Sequence, residues 1–406
     1  MAKIPDQSPK RKSRHGQEEI LTMFVVAVIA GKASLREIHD FCEDRLFLFK
    51  EFFPGIKSVP SKDDFDRTIE GTAGPSLFDG MFQELGLDFL RRAGGRNGPV
   101  STKKGDRDTI YVDGRTSSGT ELRPDPKSRL QILNAQAGPT IMAHMAVWEK
   151  PGDNTAVPGL IREIQAHCGL KGKTVAMGAL GCHGETVSLI REFGGDYVIC
   201  PQDGKGLGLG QEVRALLQDG LAGTETLSSD WDKARGHIER WSLAMIPLSP
   251  EVARERLPSA QGWEGLRVAA LLTREKLPAK GDGELKAVSR PFVSSLAPLA
   301  GEMLGAARGL SQAEPVPKVL YRVYGKDQGG IGQVNGHGLF TLARMLGLNL
   351  IRPLIARNPG DSFDTLLRFM VWRPDYLLAV LRENPEDMLP VLEWTGTHRF
   401  DGEFYR

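Results

Sequence analysis

The chain is short of cysteine pairs, of long apolar stretches and of net charge, and each shortage removes a class of protein. Its four cysteines, Cys42, Cys168, Cys182 and Cys200, form no CxxC pair. Neither a disulfide framework nor a cysteine-based zinc site is therefore indicated, and all four read as core thiols. The longest apolar run, "ILTMFVVAVIA" at 20–30, contains a threonine and follows a basic start. A membrane helix takes about 20 apolar residues, and the start is unlike a signal peptide, so the run reads as a buried helix and the protein as cytoplasmic. A net charge of +1 argues against a protein that coats nucleic acid while leaving local basic patches open.

What is present is an ordinary globular composition: 406 residues, 40% hydrophobic and 25% charged, enough chain for two or three compact domains. Two basic patches stand out. Lys3, Lys10, Arg11, Lys12 and Arg14 crowd the start, and between Arg91 and Arg129 Lys and Arg outnumber Asp and Glu. Such runs serve either as a solvated surface or as phosphate contacts.

Residues 17–93 carry helical spacing in "GQEEILTMFVVAVIAG", "SLREIHDFCEDRLFLFKEFF" and "SLFDGMFQELGLDFLRRA", and Ser61 in "PSKDDFDRTIE" is an N-cap for a further short helix. The Gly-, Ser- and Lys-rich stretch 94–107 reads as a linker. Beyond it come strands, "TIYV" at 109–112, "LQILNAQ" at 130–136 and "TIMAHMAVWE" at 140–149, then the helix "NTAVPGLIREIQAH", the strand "KTVAM", the helix "GETVSLIREF" and the strand "DYVIC". Three strands forming a meander, then helix, strand, helix, strand, is the order of a ribonuclease-H-like mixed sheet. That order places Asp113, in "IYVDGRT", at the end of the first and central strand, where a carboxylate can hold a divalent metal. An Asp-Gly pair after a strand also serves simply as a turn.

Residues 173–185, "KTVAMGALGCHGE", feed a strand into a helix through a tight turn, the kind of edge where α/β sites sit. The residue at that edge, Gly178, has no side chain to offer. Downstream, "DYVICPQDGKGLGLGQEVRALLQ" is a strand, a glycine-rich loop and a helix, the setting in which backbone N–H groups cradle phosphate. Its glycines at 204, 206, 208 and 210 alternate strictly, however, and no register satisfies GxGxxG or the Walker pattern. A connector is the better reading, with a nucleotide site as the alternative.

In "SLREIHDFCEDRLFLF", "VPSKDDFDRTIE", "IYVDGRTSSG", "TAVPGLIREI", "GALGCHGE", "GGDYVIC", "ARGHIERW", "PFVSSL", "LARMLGLNLIR" and "WRPDYLLAVL", the chain resembles the insertion-sequence transposases of the H-repeat-associated type. The resemblance spans roughly residues 14–382. It implies an α/β architecture: a helical N-terminal domain over 1–97, a ribonuclease-H-like core over 98–205 and 298–357 with a β-rich insertion at 206–297, and a helical C-terminal extension at 358–406. It also implies a DDE (Asp-Asp-Glu) site holding Mg²⁺, double-stranded DNA with inverted-repeat ends as partner, and self-association to bring two DNA ends together.

Such a site needs carboxylates from separate elements to hold two cations roughly 4 Å apart. Asp113 matches the first acid. The second acid of the family opens the motif Asp-Ala-x-Gly-Cys-Gln, which here reads "GALGCH", so its place is taken by Gly178. Glu314 in "SQAEPVPKV" falls on the third acid, but Ser311 replaces the family's tryptophan and Pro315 its asparagine, and Pro315 with Pro317 removes helical hydrogen bonds there. Asp327 is kept in "YGKD", whereas the family's Lys-Gly-Asn-Gln has become Asp203-Gly204-Lys205-Gly206. Glu185 and Asp153 are the nearest substitutes for the missing acid, and both would need backbone rearrangement to reach it. The expectation is impaired or absent catalysis, with Asp113 and Glu314 as the remaining catalytic and metal-binding residues. Lys233, Arg235 and Arg240 in "DKARGHIER" are candidates for DNA phosphate contacts. In the tail after 383, Trp394, Phe400, Phe404 and Tyr405 are expected to pack on the body.

Overall fold

The structure is a computed structural model and describes residues 14–71, 109–117, 129–137, 140–149, 156–201, 208–220, 224–234, 237–278, 284–312, 324, 334–357 and 362–382. The chain begins with α1 (Gln17–Ile29), α2 (Leu35–Asp44), α3 (Leu46–Lys50) and α4 (Lys62–Gly71). The apolar run of α1 is buried from Ile20 to Ile29, as expected of a helix that is apolar on all sides. The helices α2 and α4 begin on side-chain caps. Ser34 Oγ accepts the Glu37 N–H at 3.2 Å. Ser61 Oγ accepts the Asp64 N–H at 3.1 Å while the Asp64 carboxylate accepts the Ser61 N–H at 3.2 Å, a reciprocal pair that satisfies two otherwise orphaned donors.

The middle of the chain builds a sheet from β1 (Thr109–Ser117), β2 (Arg129–Ala137) and β3 (Thr140–Glu149), continues through α5 (Ala156–Cys168), β4 (Thr174–Met177), α6 (Gly184–Glu192) and β5 (Asp196–Ile199), and then adds α7 (Leu209–Gln218). Next come β6 (Glu225–Ser228), β7 (Asp232–Ala234), β8 (His237–Pro247), α8 (Pro250–Arg256), β9 (Val268–Pro278) and β10 (Lys286–Ser294). Four helices close the described chain: α9 (Ala300–Gln312), α10 (Val334–Arg357), α11 (Phe363–Trp372) and α12 (Pro374–Arg382).

All ten strands belong to one sheet in the order β3-β2-β1-β4-β5-β10-β9-β8-β6, with β7 paired to β8. β1, β2 and β3 form the antiparallel meander, and β4 and β5 run parallel to β1, the order and directions expected from the sequence. The strands of 225–294 extend this same sheet through the antiparallel contact of β10 with β5. The first strand is longer than "TIYV": it runs to Ser117 because β2 pairs with it throughout, whereas β4 pairs only up to Val112. Asp113 therefore lies inside the antiparallel pairing and one residue beyond the parallel one.

The sheet is covered on both faces. Val175, Met177, Leu160, Ile161, Val187 and Val213 belong to a core shared with α5, α6 and α7. Ala176, Val198, Trp241, Phe292, Met303 and Ala307 belong to a second core, under α9. A third core joins the two ends of the chain. Phe24 of α1 meets Phe340 of α10 edge-on, with ring centroids 4.7 Å apart, and α1, α2, α4, α10, α11 and α12 share one buried cluster that also takes in Ile141 of β3. The helices read separately as an N-terminal domain and a C-terminal stretch thus pack around a common interior.

Candidate functional site

The pairing of β1 with β4 ends at Val112 and Met177, so Asp113 and Gly178 are the next residues of two adjacent parallel strands. Alternation puts them on one face. Ile110 and Val112 belong to the α5–α6 core, as do Val175 and Met177, so the odd residues of β1 and the even ones of β4 face the α9 side. Ala176 and Tyr111 pack there. A ligand-binding carboxylate at 178 would therefore stand beside Asp113.

Nothing in the backbone calls for glycine at 178. Its φ is −79° and ψ −155°, an extended conformation open to any residue, and a Cβ built there would meet nothing within 4 Å. By contrast, Gly181, three residues on, has the Met177 Sδ 2.0 Å from where its Cβ would lie.

Burial pushes the Asp113 carboxyl above the usual carboxylate range, partly opposed by a hydrogen bond from the Gly114 N–H. Removal from water disfavours the charged form of a carboxylate. The α9 helix approaches the same face. A Cβ at Gly309 would lie 1.9 Å from the Tyr111 hydroxyl, so the absence of a side chain at 309 is what lets the helix cross β1 two residues before Asp113. Glu314 and Asp327, like Asp153, Arg235 and the glycine loop 202–207, lie outside the described residues.

Beside Asp113 runs a row of buried polar groups that sequence reasoning missed. Asp113 is registered opposite Asn134 on β2, and Asn134 opposite His144 on β3. Asn134 is 1% exposed and His144 2%. The His144 Nδ1 lies 3.2 Å from the Asn134 Oδ1, and burial pulls the imidazole pKa down to about 4. Two residues along, Gln136 is also buried, and its Oε1 accepts a hydrogen bond from Arg352 of α10 at 3.3 Å. The signal was in the sequence: "LQILNAQ" puts Asn134 and Gln136 at alternate positions of a strand whose other face is apolar. Buried polar residues, unlike exposed apolar ones, call for an explanation.

Of the proposed DNA contacts, Lys233 is exposed on β7, whereas Arg240 donates from Nε to the Glu275 carboxylate at 2.7 Å and lies 4.8 Å over the Trp231 ring. The neighbouring Glu239 is buried and accepts from Arg274 Nε at 3.0 Å and Trp241 Nε1 at 3.1 Å, with His237 Nε2 at 3.1 Å. Burial alone would raise its pKa, but these hydrogen bonds hold it at about 2. Arg308 of α9 pairs with Asp232 at 2.9 Å and lies 5.9 Å over Trp241, tying that helix to the added strands.

The described residues do not complete a two-cation ligand set. Asp113 is the carboxylate that the described residues place at this edge, and position 178 supplies none. Glu185 is exposed and its carboxylate is 3.2 Å from Arg162 on the neighbouring helix, so it does not replace the missing acid. His39, Asp40 and Glu43 come within metal-ligand reach of one another, but they share the surface of α2, far in sequence from Asp113. Cys182, in the "GCH" turn, has its thiol pushed up to about 12, chiefly by burial, which makes it an inert core thiol. A cleft of about 470 Å³ bordered by Trp263, Arg254 and Arg267 adjoins Leu248, Ala260 and Leu266 of the α5–α7 core. It belongs to the opposite face from Asp113. No described helix is long and apolar enough to cross a membrane.

The chain is similar to several known proteins. Residues 1–84 match the DDE_Tnp_1-associated family model. Two Escherichia coli K12 proteins, "H repeat-associated putative transposase" YhhI and the protein YbfL, are each 22% identical over 86% of this chain and 88% of their own length. A second H repeat-associated relative from the same strain, YbfD, is 23% identical over 50% of this chain and 74% of its own. Among solved structures, a piggyBac transposase synaptic complex with hairpin DNA aligns over 94% of this chain and 76% of that one, at 10% identity and a TM-score of 0.37, too low to carry weight. Its first 84 residues thus match the transposase-associated model, and along most of its length the chain is similar to the H repeat-associated putative transposases.

Proposed function

We propose that this chain is a transposase acting on double-stranded DNA with inverted-repeat ends, in which metal-dependent strand cleavage and transfer are impaired by the loss of the second acid at Gly178. The observation that carries the reading is the placement of Asp113 beside Gly178 at the ends of paired parallel strands, with open space where a side chain at 178 would lie. A divalent cation such as Mg²⁺, when bound, would polarise a phosphate oxygen and activate the attacking one. Asp113 is the residue placed to hold it, with Glu314 as the second candidate. Mg²⁺ demands near-octahedral oxygen ligation, and the missing carboxylate leaves that demand unmet. Lys233, Arg235 and Arg240 are candidate phosphate contacts. Of these, Arg240 would have to be shared between DNA and Glu275.

A second reading is favoured by the same glycine: a transposase-derived protein that keeps DNA binding or another interaction and has given up catalysis. One paired experiment separates the two. Mg²⁺ or Mn²⁺ binding by calorimetry and end cleavage on gels are measured for wild type, Gly178→Asp and Asp113→Ala, with the DNA flanking the gene. Impairment predicts no cleavage by wild type and a gain in cation affinity for Gly178→Asp. Cleavage by wild type that is abolished in Asp113→Ala would mean a working enzyme with a substitute ligand. No gain whatever in Gly178→Asp would mean that positions 113 and 178 do not form a cation site.

A further inference from the structure

The Asn134 Nδ2 is a buried donor with no hydrogen-bond partner, in a side chain only 1% exposed. Leaving such a donor unpaired costs about 1–3 kcal/mol, so a buried orphan of this kind points to a partner within reach of a small side-chain movement. Its oxygen is already committed, facing the His144 Nδ1 at 3.2 Å. His144 is buried and neutral at physiological pH, although its ring also hydrogen-bonds the Leu133 backbone; the tautomer that pairs with the Asn134 oxygen is the one with the proton on Nδ1. With the oxygen held from the β3 side, the amide nitrogen is left on the other side. The residue registered there, on β1, is Asp113.

Asp113 has the complementary deficiency. Its carboxylate is half-buried and is stabilised by a hydrogen bond from the Gly114 N–H, although an ionised carboxylate can accept about four. Cross-strand partners in an antiparallel pair have Cβ atoms about 4.5–5.5 Å apart, within reach of a small rotation of either side chain. We infer that Asn134 is a positioning residue for Asp113, its Nδ2 donating to a carboxylate oxygen and its orientation fixed by His144. The row Gly178, Asp113, Asn134, His144 then works as one unit across four neighbouring strands: His144 locks the amide, the amide aims the carboxylate, and the carboxylate faces the open space at 178. Outer-shell partners of this kind typically alter metal affinity by 10–100-fold when removed. The inference deepens the reading of Asp113 as the surviving site carboxylate and rests on it.

The contact is tested on the full chain by NMR of protein labelled with ¹⁵N-asparagine, the Asn134 side-chain amide being assigned by its loss in Asn134→Leu, or in Asn134→Ser should the leucine variant not fold. The expected result is an amide pair protected from solvent exchange that shifts in Asp113→Ala, while the buried Asn349 pair stays in place. An Asn134 pair that is unmoved by Asp113→Ala overturns the inference. A second arm measures Mn²⁺ affinity by electron paramagnetic resonance in wild type and in Gly178→Asp, each with and without Asn134→Leu. A loss of about tenfold or more on removing the amide is expected wherever Mn²⁺ binds, and an unchanged affinity in a folded variant also overturns it. Should neither background bind Mn²⁺, the metal reading of the site fails, and the amide shift alone decides whether Asn134 holds Asp113.

Discussion

Asp113 and Gly178 follow Val112 and Met177, the last paired residues of two neighbouring parallel strands, so the Asp113 carboxylate lies next to a position without a side chain. Because the conformation at 178 is extended and the space around it open, Gly178→Ala should be neutral or stabilising by about 0.5 kcal/mol through the unfolded chain. The same exchange at Gly309 meets the Tyr111 hydroxyl at 1.9 Å and should cost about 1–3 kcal/mol. Tyr111→Phe in the Gly309→Ala background should recover part of that loss. Urea unfolding of the four proteins checks both statements.

One side chain of the helices pairs with the backbone at the edge of the sheet. Asn349 of α10 accepts the Ile141 N–H at 2.8 Å and donates to the Ile141 carbonyl at 2.9 Å, both in buried surroundings, and so satisfies the outward backbone groups of β3 at the sheet's edge. Asn349→Ala leaves both unpaired and should destabilise by about 3 kcal/mol. Protection of the Ile141 amide from hydrogen exchange should fall with it.

His144 makes stability depend on pH in a defined window. Its pKa drops from an ordinary 6.5 to about 4 in the folded chain, so between those values the unfolded state binds the proton and the folded state does not. Stability is full above pH 6.5 and falls as pH drops toward 4, by about 3 kcal/mol in total. His144→Gln should remove about one proton's worth of slope from a plot of unfolding free energy against pH over that interval.

Glu239 acts lower on the scale. Held at about 2 against an ordinary 4.5, it contributes stability that is present above pH 4.5 and lost as pH falls through 2, with about 3 kcal/mol as the upper bound. Glu239→Gln should flatten the acid limb of the stability curve below pH 4.5 and leave Arg274 without its anion. Circular dichroism melts across pH 2–5 read the difference.

The order of elements was legible in the sequence because each element carries its own period: the all-apolar α1, the alternating or apolar strands, and the Ser61 cap each announce themselves over a few residues. The glycine at 178 was legible too, since the strand-to-helix turn in "KTVAMGALGCHGE" ends its strand on a residue without a side chain. Three things were decided only by the tertiary structure. Whether the strands of 225–294 form a sheet of their own or extend the first depends on the contact of β10 with β5, a long-range pairing with no local signature. The helices at the two ends of the chain read as separate because they are far apart in sequence, yet they bury their apolar faces against one another. The polar row on the α9-facing side of β1–β3 exists only once register sets Asp113, Asn134 and His144 side by side. A shift of one residue would have turned these side chains to the opposite face of the sheet, because neighbouring residues of a strand point to opposite sides.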